Sequence, residues 1–80
     1  MNITIQFYGA FRKLGSSQRI TCESPSSIAQ IKSVLSSVLG EGHKALIKDS
    51  VMANDTDILP NDYILIKDCT LSILPPVCGG

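Results

Sequence analysis

The C-terminal segment combines residue types that suit chemistry at the end of the chain itself. Its last residues are Leu74-Pro75-Pro76-Val77-Cys78-Gly79-Gly80. The two prolines stiffen the backbone, whereas the two glycines leave the tip without side chains. Fully extended at about 3.3–3.6 Å per residue, residues 75–80 would reach roughly 20 Å. The pattern predicts a thin arm that carries the Gly80 carboxylate into the active site of another protein.

A terminal carboxylate becomes reactive only after activation. A mixed anhydride, for example with AMP, makes the Gly80 carbonyl electrophilic, and sulfide or a persulfide then converts it to a thiocarboxylate. On this interpretation a separate activating enzyme consumes ATP, and the chain binds no cofactor and supplies no catalytic side chain. The alternative is an ordinary frayed terminus, which Pro75 and Pro76 disfavour because they order the exit from the fold.

The other residues that could do chemistry are few and scattered. Cys22, Cys69 and Cys78 are an odd number without CxxC spacing, so we expect reduced thiols and no disulfide framework. His43 is the sole histidine and has neither a nucleophile nor a set of metal ligands beside it in the sequence, so we expect no metal site. Cys78 could attack an activated Gly80, but a small tolerated side chain is the simpler interpretation.

The charge balance excludes several classes of partner. Seven basic and seven acidic residues cancel, and they are scattered along the 80-residue chain. Nucleic acids and anionic membranes both require a basic face, so we expect neither as a partner. No apolar run approaches the roughly 20 residues of a spanning helix, and the N-terminus has no signal-peptide pattern. We expect a cytoplasmic protein with one small core.

Alternating hydrophobicity predicts the strands that must position the tail. The predicted strands cover residues 2–8, 19–23, 45–47 together with 50–54, and 70–74. Residues 9–17 are a connection, and residues 63–66 are either a short strand or a buried turn. The side chains expected to face inward are Ile3, Ile5, Phe7, Ile20, Cys22, Leu71 and Ile73.

One helix is predicted after the second strand. Its helical spacing joins the apolar residues Ile28, Ile31, Val34, Leu35, Val38 and Leu39. Ser27 and Gln30 fit a capping box, Gly40 can end the helix, and Ser24 with Pro25 is a competing start. The element order predicts an α+β fold over residues 1–74, in which one helix packs on one face of a mixed sheet of four to five strands. Residues 75–80 are then an extended tail.

The ending and several interior segments resemble one family. LPPVCGG at residues 74–80 is similar to the C-terminus of the small subunit of molybdopterin synthase, a ubiquitin-like β-grasp sulfur carrier. YGAFRKL at residues 8–14 resembles the first-loop segment of that family, where an aromatic residue is followed by Arg-x-Leu. Met52-Ala53-Asn54 resembles its third strand. Lys67-Asp68 stands where the family usually has a Gly-Asp turn before the last strand.

The resemblance implies a β-grasp fold and a non-catalytic, sulfur-carrying subunit of a heteromeric synthase. A ubiquitin-activating-type enzyme would adenylate Gly80, and a sulfur donor protein would supply the sulfur of the thiocarboxylate. The carrier would then dock on the large synthase subunit. Two transfers would build the dithiolene of molybdopterin from cyclic pyranopterin monophosphate. The alternatives are a sulfur carrier for thiazole or tRNA thiolation, and a protein modifier or binding module.

The outward-facing rows of the first and last strands predict a docking surface. Tyr8 ends one polar row and Leu74 ends the other, so these two residues would form an apolar patch beside the exit of the tail. We expect Phe11 and Ile58 at the edge of this patch. The partner would also contact the tail residues Pro75, Pro76, Val77 and Cys78, whereas Gly79 belongs with Gly80 to the reactive end. The alternative is that a loop covers both strand ends.

Overall fold

The structure is a computed structural model that describes residues 1–76. These residues form seven strands and two α-helices. The strands are β1 (Asn2–Phe7), β2 (Ser17–Thr21), β3 (Ser26–Ser27), β4 (Val51–Ala53), β5 (Ile58–Leu59), β6 (Ile64–Leu65) and β7 (Cys69–Leu74). The α-helices are α1 (Ile28–Leu39) and α2 (Lys44–Asp49), and 3₁₀ helices cover Gly9–Leu14 and Glu41–His43. The predictions for Val77, Cys78, Gly79 and Gly80 fall outside the described residues.

A five-stranded mixed sheet forms the body of the fold. Its strand order is β2-β1-β7-β4-β5, in which only the central β1–β7 pair is parallel. Strands β3 and β6 form a separate antiparallel pair. The predicted α+β class, with one main helix and a sheet of four to five strands, is confirmed.

The two central strands supply much of the core. Ile5 lies opposite Leu71 and Phe7 lies opposite Ile73, and all four side chains are buried. Ile3 and Ile20 are also buried, as predicted, whereas Cys22 is only half-buried. Because side chains alternate along a strand, the other residues of β1 and β7 must face away from α1. The residues that alternate with these core residues therefore form the outer face of the sheet.

The capping box of α1 is confirmed. The Gln30 amide donates to Ser27 Oγ at 3.2 Å, and the Ser27 amide donates to Gln30 Oε1 at 2.7 Å. Gly40 ends the helix at a φ of 103°, where its amide donates to the Ser36 carbonyl. The competing start at Ser24 is wrong, because the Ser24 hydroxyl donates instead to the carbonyl of Ile66 at 2.6 Å.

One helical residue does not pack as predicted. Val38 is 51% exposed, whereas Ile28, Ile31 and Leu35 are fully buried. Val38 lies on the flank of this buried stripe and in the last turn of α1, so the sheet does not cover it. Within residues 1–76, no helix combines the length and the apolar character needed to cross a lipid bilayer.

Two other segments differ from the predicted elements, and the structure decides between the two alternatives for a third. Residues 45–47 belong to α2 and not to a strand, because Ile47 alone turns fully inward and one-sided burial suits a helical turn. The connection at residues 9–17 contains a 3₁₀ helix. The segment 63–66 contains the short strand β6, so the strand alternative is confirmed. The buried-turn alternative is wrong, because Tyr63, Ile64 and Ile66 are exposed.

Candidate docking surface beside the tail exit

The ends of β1 and β7 place Tyr8 beside Leu74. The last pair of the parallel register joins Phe7 to Ile73, and the extended backbone of Tyr8 continues the strand direction. Extending this register by one residue places Tyr8 next to Leu74 on the outer face. Tyr8 is 42% exposed and Leu74 is half-buried.

Two further strands widen this apolar area. Val51 lies opposite Leu74 in the β4–β7 register and is 39% exposed. Ile58 lies opposite Ala53 on the same outer face and is 65% exposed. We call Tyr8, Val51, Leu74 and Ile58 the tail-side patch. A cluster of large exposed apolar side chains on a regular sheet is typical of an interaction surface.

Val51 was missed by the sequence prediction. Its alternation with the inward Met52 shows that it faces out, but strand pairing is needed to place it beside Leu74. That pairing joins residues 23 positions apart, so no local pattern reports it.

The prediction that Phe11 lies at the edge of the patch is wrong. Phe11 is fully buried in the 3₁₀ helix, and its ring centroid lies 6.0 Å from that of Phe7. The helical turn folds this side chain back under the sheet, where its burial contributes to the core. The first loop therefore covers the core and leaves the outer face of Tyr8 open.

The base of the tail rests against a glycine of the first loop. Gly9 has a φ of +56°, a conformation that L side chains rarely adopt. A Cβ atom at Gly9 would lie only 2.6 Å from Pro75 Cγ. Gly9 thus lets the loop backbone approach the Pro75 ring closely, and this contact fixes where the chain leaves β7. Pro75 and Pro76 are both half-buried.

The turn before β7 anchors the other end of the central pair. Asp68 Oδ1 accepts a hydrogen bond from the Asn2 amide at 2.8 Å. Within the Lys67-Asp68 turn, the Asp68 carboxylate thus provides a hydrogen-bond acceptor for the first residue of β1. Strand β7 ends at Leu74. The assignment of residues 75–80 to an extended tail stays a prediction.

A second exposed apolar segment lies elsewhere in the chain. Tyr63, Ile64 and Ile66 are 43%, 52% and 69% exposed, and we call them the distal segment. They border a groove of about 460 Å³ whose lining includes Leu59, Leu71 and Cys69. The backbone of this region is tied to α1, because the Ile28 amide donates to the Tyr63 carbonyl at 2.9 Å.

The described cysteines and the histidine do not assemble into a reactive site. Cys22 and Cys69 are free and half-buried. The pKa of the Cys69 thiol is raised, chiefly by burial and further by the charge of Asp68 and by Cys22. A raised pKa lowers the thiolate fraction and therefore the reactivity. Within residues 1–76, His, Cys, Asp and Glu side chains form no cluster of three that could hold a metal ion.

Lys32 is a buried cation that the sequence prediction did not single out. Its side chain is 8% exposed, and its ammonium group donates to Ser50 O at 2.6 Å and to Asn61 Oδ1 at 2.9 Å. Burial lowers the pKa of Lys32, while the charge of Asp49 opposes the shift. Lys32 lies four residues after Ile28 and therefore on the buried side of α1, and this spacing is the local signal for its burial.

The fold is shared with several solved structures. SAMP1 from Haloferax volcanii matches with a TM-score of 0.79 over 100% of both chains at 9% identity. A putative molybdopterin converting factor subunit 1 from Pyrococcus furiosus matches with a TM-score of 0.76 at 15% identity, over 95% of this chain and 98% of that one.

A third match comes from an assembled complex. In the complex of subunits 1 and 2 of molybdopterin-converting factor from Helicobacter pylori 26695, one chain is 25% identical, with a TM-score of 0.66 over 100% of both chains. No protein-family model matches the chain, and no curated protein matches it significantly. The predicted resemblance is therefore confirmed by structure: the chain is a ubiquitin-like β-grasp protein whose structural neighbours include molybdopterin converting factor subunit 1.

Proposed function

We propose that this chain is a sulfur carrier whose Gly80 thiocarboxylate supplies sulfur for the dithiolene of molybdopterin. The similarity to molybdopterin converting factor subunit 1 in fold supports the carrier role, and the LPPVCGG ending supports the chemistry. The carrier itself performs no catalysis. Its contributions are a reactive terminus and a surface that directs this terminus into an enzyme.

The observation that carries this proposal is the position of the tail-side patch at the base of the tail. Leu74 belongs to the patch and is followed directly by Pro75, whose ring packs against Gly9. A partner that covers the patch therefore receives the tail at a defined point. Orienting a reactive group in this way replaces a search through solution and accelerates its reaction.

The chemistry requires two co-reactants. The Gly80 carboxylate attacks ATP, forms an acyl-adenylate and releases pyrophosphate. A sulfide or persulfide sulfur then attacks the acyl carbon, and AMP leaves with the bonding electron pair. When the sulfur comes from a persulfide on a donor protein, a thiol must reduce the resulting acyl disulfide to release the thiocarboxylate. A cytoplasmic setting suits these steps, because thiols remain reduced there.

The large subunit of the synthase is the partner that we assign to the tail-side patch. The Helicobacter pylori neighbour is a complex of subunits 1 and 2, which supports a two-subunit assembly for this chain as well. An adenylating enzyme of the ubiquitin-activating type must also receive the tail. Because both enzymes act on Gly80, we expect both to use the same patch in turn.

Intact mass spectrometry tests the carrier chemistry. The full chain is incubated with ATP, an adenylating enzyme of this type and a sulfur donor, and its mass should rise by the difference between sulfur and oxygen. The chain without ATP is the matched control and should show no change. Attachment to lysine side chains would instead indicate a protein modifier and would overturn the proposal.

A second experiment tests the destination of the sulfur. The thiocarboxylated chain is mixed with the large synthase subunit and cyclic pyranopterin monophosphate, and molybdopterin should form as the thiocarboxylate reverts to carboxylate. Thiocarboxylate that is stable here but is consumed in thiazole or tRNA thiolation would leave the carrier role intact and reject the molybdopterin destination.

A further inference from the structure

A basic cavity lies on the helical side of the molecule, away from the outer face of the sheet. It measures about 440 Å³ and lies between α1, α2 and the turn at Asn61. Its lining residues are Ala29, Lys32, Ser33, Ser36, Ser37, Glu41, Lys44, Ile47, Lys48 and Asn61. The volume falls within the range of about 300–1,000 Å³ that is usual for small-molecule sites.

The charge of this cavity contrasts with that of the whole chain. Three lysines and one glutamate line it, although the complete sequence has a net charge of zero. Lys44 and Lys48 lie four residues apart in α2, and such residues lie on the same side of a helix. Their ammonium groups can therefore converge on one ligand.

The buried cation adds to this positive field. The ammonium group of Lys32 has three hydrogen-bond acceptors among the described residues, and all three are neutral oxygens, of Ser50, Asn61 and, at 3.5 Å, Lys48. Neutral acceptors satisfy its N–H groups, and the charge of Asp49 offsets only part of the effect of burial on the ammonium group. A buried charge of this kind is costly, and a nearby anion lowers the cost.

The polar groups around the lysines can accept and donate hydrogen bonds. Ser37 Oγ donates to the Ser33 carbonyl at 3.2 Å. The Ser33 side chain is exposed, so its hydroxyl can donate to a ligand oxygen. Lysines act on phosphate groups as point charges, and hydroxyls complete the shell of donors.

From this arrangement we propose that the cavity binds a compact oxyanion, specifically a phosphate group, free or carried by a small metabolite. Lys44 and Lys48 contact the anion, Ser33 donates a hydrogen bond to it, and Lys32 supplies a fixed charge behind it. The site lies on the helical side of the sheet and not on the tail-side patch, so its occupancy does not depend on the sulfur-carrier proposal.

Nuclear magnetic resonance of the ¹⁵N-labelled full chain tests this site. Inorganic phosphate and glycerol 3-phosphate are titrated separately at constant ionic strength, with chloride as the reference salt. We expect saturable shifts at the amides of Ser33, Lys44 and Lys48. Tighter binding of the ester would identify a metabolite as the source of the phosphate, whereas tighter binding of inorganic phosphate would identify the free ion.

Two double variants separate a specific site from general charge screening. Lys44→Gln with Lys48→Gln should weaken phosphate binding at least about tenfold, which corresponds to about 1.4 kcal/mol. Lys13→Gln with Lys67→Gln removes the same charge from exposed residues elsewhere and should leave the affinity unchanged. Shifts that do not saturate, or that weaken equally in both double variants, would overturn the proposal. Circular dichroism confirms that both variants are folded.

Discussion

The tail-side patch and the distal segment are similarly exposed to solvent, but they lie at different positions in the fold. Tyr8 of the tail-side patch is 42% exposed, and Tyr63 of the distal segment is 43% exposed. The tail-side patch spans the paired strands β1, β7, β4 and β5, and the tail leaves from within it. The distal segment surrounds a strand of two residues that pairs only with β3.

Exposure alone does not distinguish the tail-side patch from the distal segment. Both regions place large apolar side chains in solvent, which is common on protein surfaces. Of the two regions, the tail-side patch is the one that continues directly into Pro75, the first residue of the predicted tail. The distinction therefore depends on which region adjoins the base of the predicted tail, and experiments that alter one region at a time can test it.

Removal of Gly80 should have the largest effect. The shortened chain ends one residue, about 3.3–3.6 Å, before the normal reactive position. Since a misplacement of about 1 Å can cost about a hundredfold in rate, we expect sulfur transfer to fall by at least that factor. The transfer rate is measured by intact mass spectrometry. An unchanged rate would remove the basis for linking the tail-side patch to function.

A pair of tyrosine substitutions tests the comparison directly. Tyr8→Asp places a charge in the tail-side patch and should weaken binding to the large subunit at least about tenfold, or 1.4 kcal/mol. Tyr63→Asp introduces the same change at a side chain of equal exposure and should alter the affinity less than about twofold. Isothermal titration calorimetry measures both. Equal weakening by the two variants would contradict the distinction between the regions.

A pair of glycine substitutions tests the support of the tail. Gly9→Val brings a branched side chain against Pro75, whereas Gly15→Val meets no atom within 4 Å of its Cβ position. Both glycines have positive φ, so each variant should lose about 1–3 kcal/mol of unfolding free energy. Only Gly9→Val should also slow sulfur transfer, when both proteins are compared at temperatures where they are folded. Equal rates would show that Gly9 does not position the tail.

The smallest expected effect concerns Cys69, which lines the groove beside the distal segment. In a variant with Cys22→Ser and Cys78→Ser, alkylation of Cys69 by iodoacetamide near neutral pH should be slower than that of glutathione. The reason is that burial and the Asp68 charge raise the pKa of Cys69, and the thiolate is the reactive form. Asp68→Asn should partly restore the rate. A rate equal to that of glutathione would show that the groove is open to solvent at Cys69.

The sequence predicted the elements with strong periodicity and missed those defined by pairing. The β1 alternation and the Ser27–Gln30 capping box depend on neighbours in the chain, and both are confirmed. The predicted strand at residues 45–47 is a helical turn in the structure, because three apolar or small residues in a row do not distinguish the two. Phe11 was placed at the surface because the turn that buries it has no periodic signal.

Residue type and local spacing predict the capped helix and the inward rows of β1 and β7, which the structure contains, and they also predict a slender, proline-stiffened ending. The pairing of Val51 with Leu74, the contact of Gly9 with Pro75 and the burial of Lys32 beside Asn61 depend on the three-dimensional fold. Each of these contacts joins residues far apart in the chain. Long-range contacts depend on strand register and helix packing, which no local window of sequence contains.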